Sequence, residues 1–340
     1  MPSSSRITAR PRNNQELTVA APAKRPDGKG EAEKVGQGPE AEASAIHVEV
    51  YGLSDVGRVR KNNEDNFTVC NLTSGEAGLT ESLCRHQLGP RGTLFMVADG
   101  MGGEASGEVA SQICVTTVPK RLHDNLNSLG SVRETNFVLL LREAVEYANQ
   151  IIYQKAQADP GIRGMGTTTT AAALFGTNLF VAQVGDSRAY VARNQQLVQL
   201  TRDQTYLNYL AEIGAELPTD PEKDSRRSIL TQAVGSSEAV DVKVTYTRLR
   251  QGDRLLLCSD GLYNMVKSPE LMEVLHSGPP LAEKCKMLVD RANANGGGDN
   301  VTVILAQVEG RGLPPAEATA SVEFQEFREE DFEAGANSSR

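Results

Sequence analysis

Phe95-Met96-Val97-Ala98-Asp99-Gly100-Met101-Gly102-Gly103 is the stretch that decides how this 340-residue chain folds. A short apolar run of this kind reads as a buried strand, and it stops at an aspartate. The glycines that follow let the backbone turn tightly and approach whatever the carboxylate holds. A carboxylate at a strand end, beside an unobstructed glycine carbonyl, suits a hard cation that takes oxygen ligands and completes its shell with water. Taken alone, the stretch reads more simply as an ordinary Asp-Gly turn.

The same grammar recurs, and that shifts the balance. Asn63-Glu64-Asp65, Asp99-Gly100, Ser259-Asp260-Gly261 and Gly298-Asp299-Asn300 share one design. Asp99 and Asp260 follow apolar strands, and Asp299 precedes one. In an antiparallel sheet one strand's end lies beside the next strand's start, so these carboxylates are expected to meet at one sheet edge. Buried carboxylates are costly without cations. The motifs hold too few lysines or arginines to neutralise them, which points to divalent metals. Two metals about 3.5–4 Å apart would supply both a nucleophile and an electrostatic clamp. None of His47, His86, His123 and His276 lies in a motif, nor does any cysteine, so oxygen ligands favour Mg²⁺, Mn²⁺ or Ca²⁺ over Zn²⁺. The EF-hand spacing is missing, which lowers a calcium-sensor reading. Arg60, five residues before Asp65, is placed to hold phosphate oxygens bidentately, although a surface arginine in a basic run reads as well from local sequence. Gly185-Asp186-Ser187-Arg188 reads first as a hairpin turn.

Composition bounds the rest. Hydrophobic residues make up 39% of the chain, low enough to put some segments outside the core. The net charge of −9 and the lack of a clustered basic face argue against nucleic-acid binding. Five scattered cysteines with no C-x-x-C argue for a reducing compartment and against a disulfide framework or zinc site. No apolar run approaches the roughly 18 residues of a membrane helix, and no leader precedes the core, so the reading is soluble and cytoplasmic.

Residues 1–45 are rich in Ser, Pro, Ala, Lys and Glu and are expected to be disordered. Strands are expected from His47 and after a polar loop ending near Phe67, with Leu72 to Gly92 loop-like. Two helices follow, about Gly107 to Leu126 and Val132 to Ala158, the second with apolar residues at three- and four-residue spacing. From Gly166 the period becomes two, and four strands to Leu200 read as one antiparallel meander. Residues 204–236 read as a mobile surface flap with a short helix. Strands at Val242 and Arg254 precede helices at about Pro269 and Leu281 and a last strand from Val301. Leu255-Leu256-Leu257-Cys258 is apolar throughout, as a strand buried on both faces is. Residues 310–340 read as a disordered acidic tail. Strands and helices come in runs, which makes the chain α+β with largely antiparallel sheets.

Seven motifs in order then carry a resemblance. They are Asn63-Glu64-Asp65, Asp99 to Gly103, Gly166-Thr167-Thr168, Gly185 to Ala189, Leu200-Thr201-x-Asp203, Ser259 to Leu262 and Gly298-Asp299-Asn300-x-Thr302. Together they resemble the type 2C metal-dependent protein phosphatases, most closely the bacterial serine/threonine members, over residues 46–309. The resemblance implies a four-layer αββα sandwich of two antiparallel β-sheets flanked by helices. It implies a serine/threonine phosphatase in which a metal-bridging hydroxide attacks phosphorus directly, with no covalent phosphoenzyme. It implies two Mn²⁺ or Mg²⁺ per site, with Asp99 bridging them, the Gly100 carbonyl on one, and Asp260 and Asp299 on the other. Glu64 and Asp65 would fix metal-held waters, Asp186 with Asp260 would hold a third, weaker metal, and Arg60 would bind the substrate phosphate. Phosphorylated proteins are the implied substrates, a Ser/Thr kinase the implied partner, and a monomer the expected state. Three departures stand out. Met101 replaces a candidate general acid, Glu104 follows the glycines where many bacterial members have histidine, and Gln204 replaces the histidine after Leu-Thr-x-Asp. A non-catalytic binding module on the same fold and a structural calcium protein are the rival readings. The first should have lost a metal carboxylate, and the second has no use for Arg60.

Overall fold

The computed structural model describes residues 45–102, 106–220, 224–317 and 319–328, all within the unit Pro39–Arg340. Glu104 and nearly all of the N-terminal segment expected to be disordered lie outside the described residues. In chain order the elements are β1 (His47–Asp55), β2 (Asp65–Asn71), α1 (Glu81–Cys84), β3 (Arg85–Gln87), β4 (Thr93–Met101), α2 (Ser106–Asn127) and α3 (Glu134–Ala158). Then come β5 (Gly166–Thr167), β6 (Thr169–Phe175), β7 (Asn178–Val184), β8 (Arg188–Arg193), β9 (Gln196–Gln199) and α4 (Tyr206–Glu212). The rest are β10 (Lys243–Arg248), β11 (Arg254–Cys258), α5 (Asp260–Tyr263), α6 (Ser268–His276), α7 (Leu281–Ala294), β12 (Val301–Glu309) and β13 (Phe324–Glu326). The segment expected to be loop-like thus contains α1 and β3.

Two antiparallel sheets form. One runs β3-β1-β12-β11-β8-β9, the other β13-β10-β7-β6-β4-β2, with β5 on the end of β4. Alternation along single strands shows why they stack between helices. In β4, Phe95 and Val97 join the core between the sheets, while Leu94, Met96 and Ala98 face α2 and α3. In β11, Leu255 and Leu257 enter the same central core, and Leu256 and Cys258 face α6 and α7. Both faces of these strands are covered, so their sequences lack a polar side. The result is the four-layer αββα sandwich that the resemblance implies, in keeping with the α+β reading of the segregated strands and helices.

Two expectations are corrected. The four strands from Gly166 do not form one meander, because β6 and β7 belong to one sheet and β8 and β9 to the other. The chain crosses between sheets at Gly185–Ser187. Gly185 takes φ 97°, and a Cβ there would stand 2.7 Å from the Thr168 side chain. Only glycine fits that crossing. Nor is the chain beyond residue 310 a loose tail over its described part. It returns over the second sheet, where β13 pairs with β10 and Leu313, Val322 and Phe327 are buried. Arg250 Nη1 donates to the Pro315 carbonyl (3.0 Å) and Thr247 Oγ1 to that of Glu323 (2.6 Å). Three well-spaced apolar anchors hold the strap without giving it any periodicity. No helix among the described residues is long and apolar enough to cross a membrane.

Candidate active site

One end of the sandwich gathers the acidic motifs from both sheets. β2 and β4 pair so that Asp65 lies opposite Asp99. Asp260 opens α5 just after β11, and Asp299 precedes β12, both in the other sheet. The carboxylates therefore meet across the ends of two stacked sheets, not at the edge of one. A single sheet could not bring them together, since β4 and β11 have no common partner strand.

Backbone bonds fix the frame. The Asp99 N–H donates to Thr168 Oγ1 (2.9 Å), and the Asp99 carbonyl accepts from the Thr168 N–H (2.8 Å) and Thr167 Oγ1 (2.9 Å). Gly100 donates its N–H to the Glu64 carbonyl (3.2 Å), and a Cβ at residue 100 would stand 2.2 Å from the Gly107 carbonyl oxygen. Glycine is required at position 100 by close packing of a helix start on the strand, whatever the Asp99 carboxylate does.

A cavity of about 810 Å³ opens over this frame, lined by Arg60, Glu64, Asp99, Asp186, Asp260 and Asp299 among others. Asp65 lies beneath it, only 5% exposed. One Asp65 oxygen accepts from Ser259 Oγ (2.6 Å), whereas its Oδ1 is buried without a partner. Asp260 repeats this pattern, with Asn264 Nδ2 donating to Oδ2 (3.1 Å) and Oδ1 buried and unpartnered. Loss of water holds Asp65 at about 7, with the Asp260 and Asp299 charges adding to the rise. Burial and Asp299 raise Asp260 to about 6. Burial and Asp260 raise Asp186 to about 7. Asp99 is held well above the usual carboxylate range by burial and then by Asp65 and Asp260. Burial also raises Glu64, against the pull of Arg60.

Arg60 is the one guanidinium bonded to this cluster among the described residues, with Nη2 2.7 Å from Asp299 Oδ2. That bond, then the Asp299 charge, raises its pKa further. Asp186 is the pivot of the sheet crossing, 6% exposed, and accepts from Tyr263 Oη (3.2 Å). The Arg188 guanidinium lies 3.5 Å over the Tyr263 ring and bonds Asp203 of the Leu-Thr-x-Asp motif through Nε (2.9 Å). Gln204 accepts from the Gly185 N–H (2.7 Å) and from Gln232 (3.0 Å), tying the crossing to the far end of the flap.

Sequence reasoning passed over two residues inside its own motifs. Ser259 bridges the sheets, donating to Asp65 and accepting from the Thr302 N–H (3.0 Å). Asn300 accepts from the Glu64 N–H (2.8 Å) and donates to the Val56 and Asn62 carbonyls (both 2.9 Å). The signal was there, because a serine and an asparagine flanking buried aspartates need partners of their own.

Among the described residues the cavity is rich in carboxylate and carbonyl oxygens, and Asp65 Oδ1 beneath it and Asp260 Oδ1 are buried without a partner. That donor set fits hard divalent cations. Among the described residues no three acidic, histidine or cysteine side chains close a ready-made cage. A site of this width suits an ion that keeps much of its own water, as Mg²⁺ does.

Known proteins share this architecture. Residues 83–297 match the protein phosphatase 2C family. The serine/threonine phosphatase stp of Listeria monocytogenes is 34% identical over 254 residues, covering 75% of this chain and 93% of that protein. The crystal structure of the Mycobacterium tuberculosis serine/threonine phosphatase PstP/Ppp superposes with a TM-score of 0.64 at 34% identity, covering 77% of this chain and 99% of that one. A structure of the PstP catalytic domain in complex with two manganese ions has a TM-score of 0.61 at 33% identity, over 78% and 99% of the two chains. The chain belongs to the protein phosphatase 2C family, and it is a phosphoprotein phosphatase.

Proposed function

We propose that this cavity hydrolyses phosphoserine and phosphothreonine in proteins, using two divalent cations, Mn²⁺ or Mg²⁺. The observation that carries the reading is the pair of buried, unpartnered oxygens on Asp65 and Asp260 beneath an arginine able to grip phosphate. Asp99 and the Gly100 carbonyl would serve one cation and Asp260 and Asp299 the other, with Asp99 shared. Glu64 and Asp65 would act through water, and Asp186 with Asp260 would take a third ion. The two manganese ions in the PstP catalytic domain support this assignment. When bound, such cations supply a hydroxide nucleophile near neutral pH and polarise the phosphoryl oxygens.

The chain's own residues do the rest. Arg60 is bonded to Asp299 in the resting site, and its planar fork transfers to two phosphoryl oxygens when substrate arrives. Thr167, Thr168, Ser259 and Asn300 hold the acidic groups in place, so little reorganisation accompanies the reaction. Met101 lines the cavity at the candidate general-acid position and carries no proton to give. Water therefore protonates the departing serine or threonine oxygen. No cysteine or histidine lines the cavity among the described residues, which supports direct displacement over a phosphoenzyme.

The catalytic domain on this reading runs from residue 46 to 328, and the anchored strap supports the longer boundary. All five cysteines are free, which supports a reducing, cytoplasmic compartment; the monomeric state and the Ser/Thr kinase partner rest on likeness to the family. The test is hydrolysis of a phosphothreonine peptide by the full chain with Mn²⁺, with Ca²⁺ and with chelator. Turnover is expected with Mn²⁺ and not with chelator. Folded protein inert with every cation would sink the reading.

A further inference from the structure

Eight large apolar side chains are exposed among the described residues, and they are not scattered. Three of them, Val59 (68% exposed), Met101 (38%) and Ile229 (50%), line the acidic cavity. Three more, Tyr209, Ile213 and Leu217, lie in the flap segment. Isolated exposed apolar residues need no explanation, but a group around one opening does.

The three rim residues come from separate segments; Met101 and Ile229 are bonded at their own backbones, and Val59 is held through its neighbour. Met101 ends β4 and pairs with Gly166. Val59 follows Arg58, whose N–H donates to the Gly297 carbonyl (2.7 Å). Ile229 accepts from the Tyr206 N–H (2.8 Å), and the neighbouring Leu230 bridges to Thr205. These bonds tie two of the three rim residues to the frame of the site, which lowers the ordering entropy that opposes contact with them.

A phosphoryl group fills only a small part of an 810 Å³ cavity. The rest of the cavity is lined by the three apolar side chains together with Lys61, Asn62 and Ser228.

We propose that Val59, Met101 and Ile229 form an apolar rim that selects substrates with large apolar residues flanking the phosphoserine or phosphothreonine. The rim acts on kcat/KM by taking those flanking side chains out of water as the phosphate seats on Arg60. This inference rests on the phosphatase reading and deepens it, by naming the sequence context of the substrate.

The experiment uses the full chain with Mn²⁺ and four phosphothreonine peptides, flanked on both sides by Leu, Ala, Glu or Arg. The small substrate p-nitrophenyl phosphate, which has no flanks, serves as control. Leu flanks should exceed Ala flanks in kcat/KM by about tenfold. The double variant Val59→Ser/Ile229→Ser should reduce that preference to near unity and leave p-nitrophenyl phosphate turnover unchanged. Both side chains point to solvent, so the variant should fold. The rim is overturned if Leu and Ala peptides turn over alike, if Glu or Arg flanks are preferred, or if the Leu preference survives the double variant. Failure to hydrolyse both the peptides and p-nitrophenyl phosphate would instead overturn the phosphatase reading, and the rim with it.

Discussion

Two places in this molecule bury acid, and they treat it in opposite ways. Asp253 is fully buried against Arg193, which is 3% exposed. Arg193 grips it with Nε (2.8 Å) and Nη2 (2.7 Å), and the Arg250 N–H adds a third bond (2.8 Å). The guanidinium spends its remaining donors on the carbonyls of Ser321 (2.7 Å) and Arg248 (3.0 Å), so the pair also anchors the strap. At the other end of the sandwich Asp65, Asp99, Asp186 and Asp260 crowd together with buried oxygens left over. A charge buried for architecture brings its counter-ion in the same chain. A charge buried for function leaves the place of the counter-ion open.

Exchanging the two treatments should break them differently. Asp99→Asn should cut turnover by roughly a thousandfold or more if, as proposed, it removes the acidic ligand shared by two cations. The same change removes one of several mutually repelling carboxylates, so thermal melting of the metal-free protein should move upward. Asp253→Ala should do the reverse. It leaves Arg193 buried and unpaired, at a cost of about 3–5 kcal/mol in urea or thermal unfolding. The fraction still folded should keep its turnover. A loss of stability in Asp99→Asn as large as that in Asp253→Ala would erase the distinction.

Acidity sharpens the contrast. Asp65 and Asp186 sit at about 7 and Asp260 at about 6, all above the roughly 3.9 of an unfolded aspartate. A raised carboxylate favours folding while it is protonated in the native state. Its contribution is complete below about pH 4 and is lost as pH climbs through 6 to 7. Metal-free protein should therefore melt at lower temperature at pH 8 than at pH 5. Added Mn²⁺ should stabilise most at pH 8, where no protons must leave before the cation binds. Calorimetry at both pH values, with Mn²⁺ and with chelator, reads this directly. A metal-free melting temperature that rises between pH 5 and 8 would contradict it.

The smallest expected effect is at Arg60. Arg60→Lys keeps the charge but loses the planar fork, and kcat/KM for a phosphopeptide should fall about tenfold to a hundredfold. Retention of full activity would reduce Arg60 to a surface partner of Asp299.

Much of the acidic end was legible because one pattern recurs. Apolar runs end in Asp-Gly at Asp99 and Asp260, and Asp299 stands just before another such run, which is a local pattern with a local cause. The both-faces-buried reading of Leu255–Cys258 succeeded for the same reason. What escaped was decided by distant partners. Gly185-Asp186-Ser187-Arg188 has the composition of a hairpin turn, and the same residues serve a crossing between sheets. Only the partner strands, β10 for β7 and β11 for β8, settle which it is. The strap escaped because Leu313, Val322 and Phe327 are too few and too unevenly spaced to show against an acidic background. Placing the carboxylates on one sheet edge failed because strand order is a property of the whole chain.

Arg60 and Asp299 touch although 239 residues separate them, and β1 takes its place in its sheet beside β12. A ribosome adding about 5–20 residues per second needs roughly 10–50 s to supply the second partner after the first. During that interval β1 lacks its long partner β12 and the acidic residues lack a complete site. A chain that stops short of Asp299 therefore lacks an assembled acidic site, and catalysis waits for that residue.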